Sequence, residues 1–380
     1  MSSTYLDYNS TTPVDPIVLE AMLPWFSVNF GNAGSSTHYW GRAAAMAVEE
    51  AREKVAEIFG CEPGEIIFTS GATEAINLAL RGVMHAYQHS GKHFITVTTE
   101  HKAVLDTADA LAKEGYECTR IGVDYAGRID PDELKNAIRK DTVLVAVMMA
   151  NNETGVLQDV ALIGDICQQH DILFFSDTTQ VAGKMQLNVK ESGMAMACIS
   201  AHKMYGPKGV GALYVSRKSP RVTLQAQITG GGQEKGLRSG TLNVPGIVGF
   251  GKACELAMKE CWDTGSRLSS LRTIFEQLLE QKCTARINGS IRYRLPNTTN
   301  LRIPGVKASA LIPAVPSLGF STGSACTSAL PEPSHVLTAM RISPEFAAES
   351  FRISLGKYTT EEEMYLAVDT ISQAVATFIR

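Results

Sequence analysis

The stretch Asp177-Thr178-Thr179-Gln180 closes one apolar run of this 380-residue chain, and Ser200-Ala201-His202-Lys203 closes the next. Both runs read as buried strands. Polar residues at the C-terminal edge of such strands lie where open α/β sheets collect ligands. A carboxylate and a lysine brought together there suit pyridoxal phosphate: the carboxylate keeps the pyridine nitrogen protonated, and the lysine condenses with the aldehyde.

The flanking sequence carries the sheet that such an edge requires. Apolar runs at 65–68, 93–98, 142–149, 172–176, 197–200 and 210–215 alternate with helical patterns at 72–88, 103–114, 131–139 and 160–170. This alternation predicts a largely parallel sheet covered by helices on both faces. A long amphipathic helix is predicted upstream, over 38–59. Past residue 243 the chain reads as a helix over 247–280 and then as short strands and loops broken by Pro296, Pro304, Pro313, Pro316 and Pro331. The last helix, 360–379, opens on Thr360 and three glutamates, a hydroxyl cap with acids in the first turn. The expected organisation is a large α/β domain over 15–258 and a smaller α+β domain made of 1–14 with 259–380.

Bulk properties narrow the function. With 44% apolar and 19% charged residues, the chain has the composition of a soluble globular enzyme. A formal net charge of −4 argues against a broadly basic nucleic-acid binder. No apolar run approaches the ~18 residues of a spanning helix, and the amino terminus lacks a basic and apolar leader, so a cytoplasmic enzyme is expected. The eight cysteines, at 61, 118, 167, 198, 254, 261, 283 and 326, show no CxxC spacing, and neither a metal site nor a disulfide framework is predicted. Most read as small buried hydrophobes in a reducing compartment. Cys326 stands apart. It lies in Ser321-Thr-Gly-Ser-Ala-Cys-Thr-Ser328, a run of small residues that favours an exposed loop, where a thiolate can act as a nucleophile.

Other polar phrases also follow predicted strands. Phe68-Thr-Ser-Gly-Ala-Thr-Glu-Ala75 reads as strand, tight turn and helix start, whose unpaired N–H groups suit a phosphate, with the Thr73 hydroxyl beside them. Ser200 and His202 are further candidate phosphate ligands. His101 follows another strand, where an imidazole can stack on a cofactor ring or move a proton. Ala150-Asn-Asn-Glu-Thr-Gly155 offers amide groups, and Gln180 is close enough to Asp177 to serve the same ring edge. The segment 229–241 is Gly-rich without the pattern of a dinucleotide site. It reads as an exposed loop offering backbone donors and Thr241 to an anion.

Taken in order, these phrases resemble the cysteine desulfurases of the nitrogen-fixation and iron–sulfur-cluster type, class V pyridoxal phosphate enzymes of the aspartate-aminotransferase-like fold (fold type I). The resemblance runs nearly end to end. It includes Tyr5-Leu-Asp-Tyr-Asn-Ser-Thr-Thr-Pro13, Glu100-His-Lys-Ala-Val-Leu105, His202-Lys-Met-Tyr-Gly-Pro-Lys-Gly209, Gly236-Leu-Arg-Ser-Gly-Thr241 and Phe351-Arg-Ile-Ser-Leu-Gly356. It implies a mostly parallel seven-stranded sheet, with Lys203 as the cofactor lysine and Asp177 as the partner of the pyridine nitrogen. It further implies His101 stacked on the ring, Asn152 and Gln180 near its hydroxyl, and Ala72, Thr73, Ser200 and His202 around the phosphate. Thr241 would reach the phosphate of a neighbouring subunit in a homodimer, and Arg352, with Asn152, would receive the substrate carboxylate. Cys326 would take sulfur from L-cysteine as a persulfide, leaving L-alanine, and pass it to an acceptor protein.

Three departures from the family pattern stand out. Thr178 and Thr179 follow the aspartate where smaller or apolar residues are usual, and Lys235 stands where arginine is common. The chain also ends at Arg380, soon after the last helix, so the expectation shifts from a cluster scaffold toward a dedicated acceptor, with transfer-RNA thiolation, DNA phosphorothioation and a specialised cluster system open. Rival readings are a selenocysteine lyase, a pyridoxal aminotransferase, which has no use for Cys326, and a silent binding subunit, which has no need of Lys203, Cys326 and Arg352 together.

Overall fold

The computed structural model describes residues 3–322 and 334–378, so Cys326 lies outside the described residues. Seven strands form the central sheet: β1 (Ile66–Thr69), β2 (His93–Val97), β3 (Glu117–Ile121), β4 (Thr142–Ala146), β5 (Leu173–Asp177), β6 (Met196–Ser200) and β7 (Gly211–Val215). Their order across the sheet is β1-β7-β6-β5-β4-β2-β3. The pairs from β3 to β6 are parallel, and β7 runs against both its neighbours. The mostly parallel α/β architecture is as the sequence predicts. Strand β3 is the element the apolar runs did not mark. It is an edge strand with its first four residues exposed or half-buried, so it lacks the continuous apolar run of a strand covered on both faces.

Successive side chains alternate between two cores, as strand geometry demands. Phe174 packs with Val55, Phe59, Ile163, Ile166 and Phe250 on one face, and Phe175 packs with Ile76, Leu80, Val83 and Val104 on the other. The first face is covered by α1 (Tyr39–Phe59), α4 (Val160–Gln169) and α5 (Val244–Cys283), and the second by α2 (Ala72–Ala86) and α3 (Lys102–Lys113). Helix α1 begins where His38 Nδ1 accepts from the Gly41 amide, and it ends at Gly60, which takes the left-handed conformation that glycine adopts without strain.

The 40-residue helix α5 spans about 60 Å at 1.5 Å per residue. Its first half serves the central sheet, and its second half enters another cluster, where Phe275 and Leu279 pack with Leu6, Leu301, Phe351, Ile353 and Ile371. That cluster lies between α6 (Glu361–Phe378) and the antiparallel pair β8 (Thr298–Arg302) and β9 (Ser350–Ser354). The amino-terminal segment is laid over β9: Ser354 donates to the Leu6 carbonyl at 2.8 Å and accepts from Tyr8 at 3.2 Å. This draws Asp7, Asn9 and Ser10 across the C-terminal edge of the central sheet. Among the described residues no helix is long and apolar enough to cross a membrane.

Candidate active site

The C-terminal ends of β1, β2, β4, β5 and β6 open into one cavity of about 1160 Å³. It is lined by Ala72, Thr73, His101, Asn152, Asp177, Gln180, Ser200, His202, Lys203 and Arg352. Ten of the candidate residues are therefore gathered by the fold. Thr241 is not in the lining and is exposed on its loop, and Cys326 lies outside the described residues.

At one end of the cavity, Gly71 leads into α2, whose first turn has no side-chain cap. The amides of Ala72 and Thr73 thus stand at the positive end of a 15-residue helix with Ser200 and His202 opposite, a donor set suited to phosphate. The turn is held close to the sheet. A Cβ on Gly211 would lie 2.7 Å from both the Gly71 Cα and the Ile199 carbonyl, so only glycine fits. His202 Nδ1 is 3.1 Å from the Thr11 hydroxyl. Burial, reinforced by Lys203, Lys208 and Lys184, pulls its pKa down to about 4, and its imidazole is neutral near pH 7.

Lys203 lines the same cavity. Its ammonium donates to the carbonyls of Asn9 and Ser10, each at 2.6 Å. Burial first, then Arg352, lower its pKa to about 8, against the opposing pull of Asp177 and Asp7. A lysine so tuned reaches its neutral, nucleophilic form within two pH units of neutrality.

Asp177 ends β5. Its Oδ1 accepts from the Thr179 amide at 2.9 Å, and Cys198 Sγ lies 3.6 Å away. The threonines that departed from the family pattern hold this corner, because Thr178 Oγ1 also donates to the Cys198 carbonyl at 2.8 Å. The Lys235 ammonium donates to the Gly64 carbonyl, tying the Gly-rich loop to the entrance of β1.

His101 caps α3, and its Nδ1 accepts from the Ala103 amide at 3.1 Å. That bond assigns the ring proton to Nε2. Burial lowers the His101 pKa, with Lys203 and His335 adding to the effect and Asp177 and Asp106 opposing it. Arg352 is buried and fully engaged at its tips: Nη1 donates to the Asn152 carbonyl at 2.8 Å, and Nη2 donates to Asp7 Oδ1 at 2.6 Å, Ser10 Oγ at 2.9 Å and Ser321 Oγ at 3.0 Å. An incoming carboxylate must share this fork with Asp7.

Several groups that complete the site had no role in the sequence reading. Asn9 anchors Lys203 through its carbonyl. Glu100 is fully buried and accepts from the Met148 amide, and burial raises its pKa well above the carboxylate range. Glu153, raised by burial as well, accepts from the Ser334 hydroxyl. His335 Nε2 is 2.9 Å from the Glu100 carbonyl, and its ring joins the cavity wall. The signal available for Asn9 was the polar run Asp7–Thr12, too long and too hydrophilic for a strand end with nothing to bind. Six of the described cysteines have their thiol pKa raised, chiefly by burial, and none of the described cysteines lines the cavity.

The donors fit pyridoxal phosphate: an uncapped helix start with two side-chain donors, a carboxylate and a lysine of lowered pKa all line one cavity. The family model for class-V aminotransferases matches residues 4–366. The chain belongs to the class-V aminotransferase family. It is 50% identical to the cysteine desulfurase IscS of Anaeromyxobacter dehalogenans, over 98% of this chain and 92% of the relative. A solved NifS-like protein superposes with a TM-score of 0.93 at 36% identity, covering 99% of this chain and 100% of its own. A structure of SspA in complex with cysteine gives 0.83 at 36% identity, over 94% and 100% of the two chains. The α/β fold with its seven-stranded sheet is thus that of the NifS-like pyridoxal phosphate enzymes.

Proposed function

We propose that this protein is a cysteine desulfurase that uses pyridoxal 5′-phosphate to move sulfur from L-cysteine to Cys326. The observation that carries the proposal is the junction of Lys203, Asp177 and the uncapped α2 start in one cavity, in a chain half identical to named desulfurases. Pyridoxal phosphate, when bound, supplies an electron sink for the pair released at the substrate α-carbon.

The residues divide the remaining work. Ala72, Thr73, Ser200 and His202 hold the phosphate, and the neutral state of His202 makes it a hydrogen-bond partner rather than a counter-ion. Asp177 holds the proton on the pyridine nitrogen. Lys203 would hold the cofactor by its aldehyde and, as a free amine, would take the α-proton of the substrate. Its lowered pKa keeps part of the population neutral at pH 7. His101, with its proton on Nε2, would stack on the ring and would relay the proton of the substrate thiol. Arg352 and Asn152 orient the substrate carboxylate, and Gln180 and Asn152 serve the ring hydroxyl edge.

Cys326 completes the balance. Its thiolate attacks the substrate sulfur, the carbon–sulfur bond breaks as the sulfur–sulfur bond forms, and the products are L-alanine and the Cys326 persulfide. The raised thiol pKa values of the buried cysteines support a nucleophile outside that set, and the SspA relative's complex with cysteine supports the substrate. The persulfide then passes to an acceptor protein. The exposed position of Thr241 supports its service to a neighbouring subunit in a homodimer. Replacing Cys326 with Ser tests the division of labour: cofactor binding and the spectral response to L-cysteine persist, while alanine and sulfide formation fall by at least about a thousandfold, the scale of losing a nucleophile. Unchanged turnover would remove Cys326 from the scheme.

A further inference from the structure

In the turn after β5, four residues beyond Gln180, Lys184 occupies a place that none of the steps above uses. Its ammonium donates to the Gln180 side-chain oxygen Oε1 at 2.8 Å and to the Gln180 main-chain carbonyl at 3.1 Å. The charged groups that act on it, Lys203 and Arg352, are both cations, and burial with these two depresses its pKa to about 7. An ammonium kept beside two other cations works against stability. Its placement calls for a reason beyond packing.

The reason lies in the amide it touches. Gln180 is buried and lines the cavity. A glutamine can present either its carbonyl or its NH₂ group in a given direction, and the two orientations are nearly isosteric. As an ammonium, Lys184 carries donors only, so in that form it accepts just one of them: Oε1 must face it. The NH₂ group then faces the Asn9 carbonyl, to which Nε2 donates at 3.0 Å. That carbonyl is also the acceptor for Lys203 Nζ at 2.6 Å. With one Nε2 hydrogen given to Asn9, the second remains for the cavity, on the wall shared by Asp177 and Lys203.

We propose that Lys184 is a positioning residue for the cofactor: it locks the Gln180 amide so that an N–H, not a carbonyl, meets the ring hydroxyl oxygen of pyridoxal phosphate. This rests on the cofactor reading above. A donor at that oxygen stabilises its anionic form, and so lowers the pH at which the Lys203–cofactor linkage gives up its proton. Without Lys184 the amide is free to turn its carbonyl toward the oxygen, and the linkage holds its proton to higher pH.

The test is a pH titration of the cofactor absorbance band in reconstituted enzyme without substrate, for wild type, Lys184→Met, Gln180→Ala and the double variant. The midpoint rises by about one pH unit in Lys184→Met, a tenfold change in proton affinity, and by a similar amount in Gln180→Ala. The double variant shows no further rise, because Lys184 acts through Gln180. Lys184→Arg, which keeps a cationic donor, returns the midpoint toward wild type. Should Lys184→Met fail to fold, Lys184→Gln removes the cation with a polar side chain and carries the same expectation. An unchanged midpoint in folded Lys184→Met holoenzyme overturns the proposal. So does a double variant whose shift is the sum of the two, which would make Lys184 a remote charge. A wild-type protein with no cofactor band instead rejects the cofactor reading itself, before any variant is compared.

Discussion

His202 and Lys203 are adjacent, and burial pushes both toward their neutral forms, to pKa values of about 4 and about 8. Both folded values lie below those of the unfolded chain, near ~6.5 for histidine and ~10.4 for lysine. Between the folded and unfolded values the unfolded chain binds more protons, so stability rises with pH through each window. For His202 that window lies between pH 4 and pH 6.5 in the cofactor-free protein, and stability falls there as the unfolded histidine takes up its proton, by an amount that solvent around the half-buried ring reduces. Thermal melting of the apo-protein across this range is expected to steepen with falling pH, and His202→Asn is expected to flatten that slope. An unchanged slope in the variant would show that the acid sensitivity arises elsewhere. At this scale the sequence exposed residues that the fold gathers into one cavity, a lysine, a carboxylate and two histidines that follow predicted strands. It did not expose Lys184, Glu153 or Asn9, whose roles depend on which carbonyl or amide lies beside them across the fold.

At the scale of elements, the Gly-rich loop is fixed by a buried ion pair that reaches back to α1. The Arg52 guanidinium meets Glu234 through two bonds of 2.8 Å, and Glu234 Oε2 also accepts from the Phe68 amide of β1 at 2.7 Å. Both side chains are almost wholly buried, at 6% and 1% exposure. Removing one partner leaves the other charge uncompensated, so Glu234→Ala is expected to lose about 3–5 kcal/mol in urea unfolding. A loss within about 1 kcal/mol would mean that water reaches Arg52 in the variant.

Elements with an apolar signature were legible to within a few residues. The helix expected over 247–280 is Val244–Cys283, extended at its start because Asn243 caps it by accepting from the Gly246 amide. The run expected as a strand over 142–149 leaves the assigned strand at Ala146, yet continues alongside β5 through bonds from Val147 to the Phe175 carbonyl and from Met149 to the Asp177 carbonyl. Within the central sheet β3 was hidden, because its first four residues are exposed or half-buried and share too little of the core to show in composition.

At the scale of the whole molecule, the stretch 23–40, which runs into the first turn of α1, leaves a set of large apolar side chains in water. Leu23, Phe26, Val28, Phe30, Tyr39 and Trp40 are all more than half exposed, a concentration that marks an interaction surface. Under the homodimer proposed above, a second copy of this chain would cover this surface and would bring Thr241 to a phosphate. Sedimentation is expected to give a dimer, and Phe26→Asp with Phe30→Asp is expected to give a monomer with cofactor affinity lowered about tenfold or more, the scale of one lost phosphate donor. A wild-type monomer of full activity would contradict composite sites.

The central claim, that Lys203 holds pyridoxal phosphate for the desulfuration of L-cysteine, is tested most directly by an absorbance spectrum of the reconstituted protein before and after L-cysteine, with alanine and sulfide assayed under reductant. The account predicts a cofactor band that is lost in Lys203→Ala, shifts on adding cysteine, and is accompanied by equal amounts of alanine and sulfide. A reconstituted wild-type protein with no cofactor band, or one whose band responds to cysteine without alanine being formed, would contradict it.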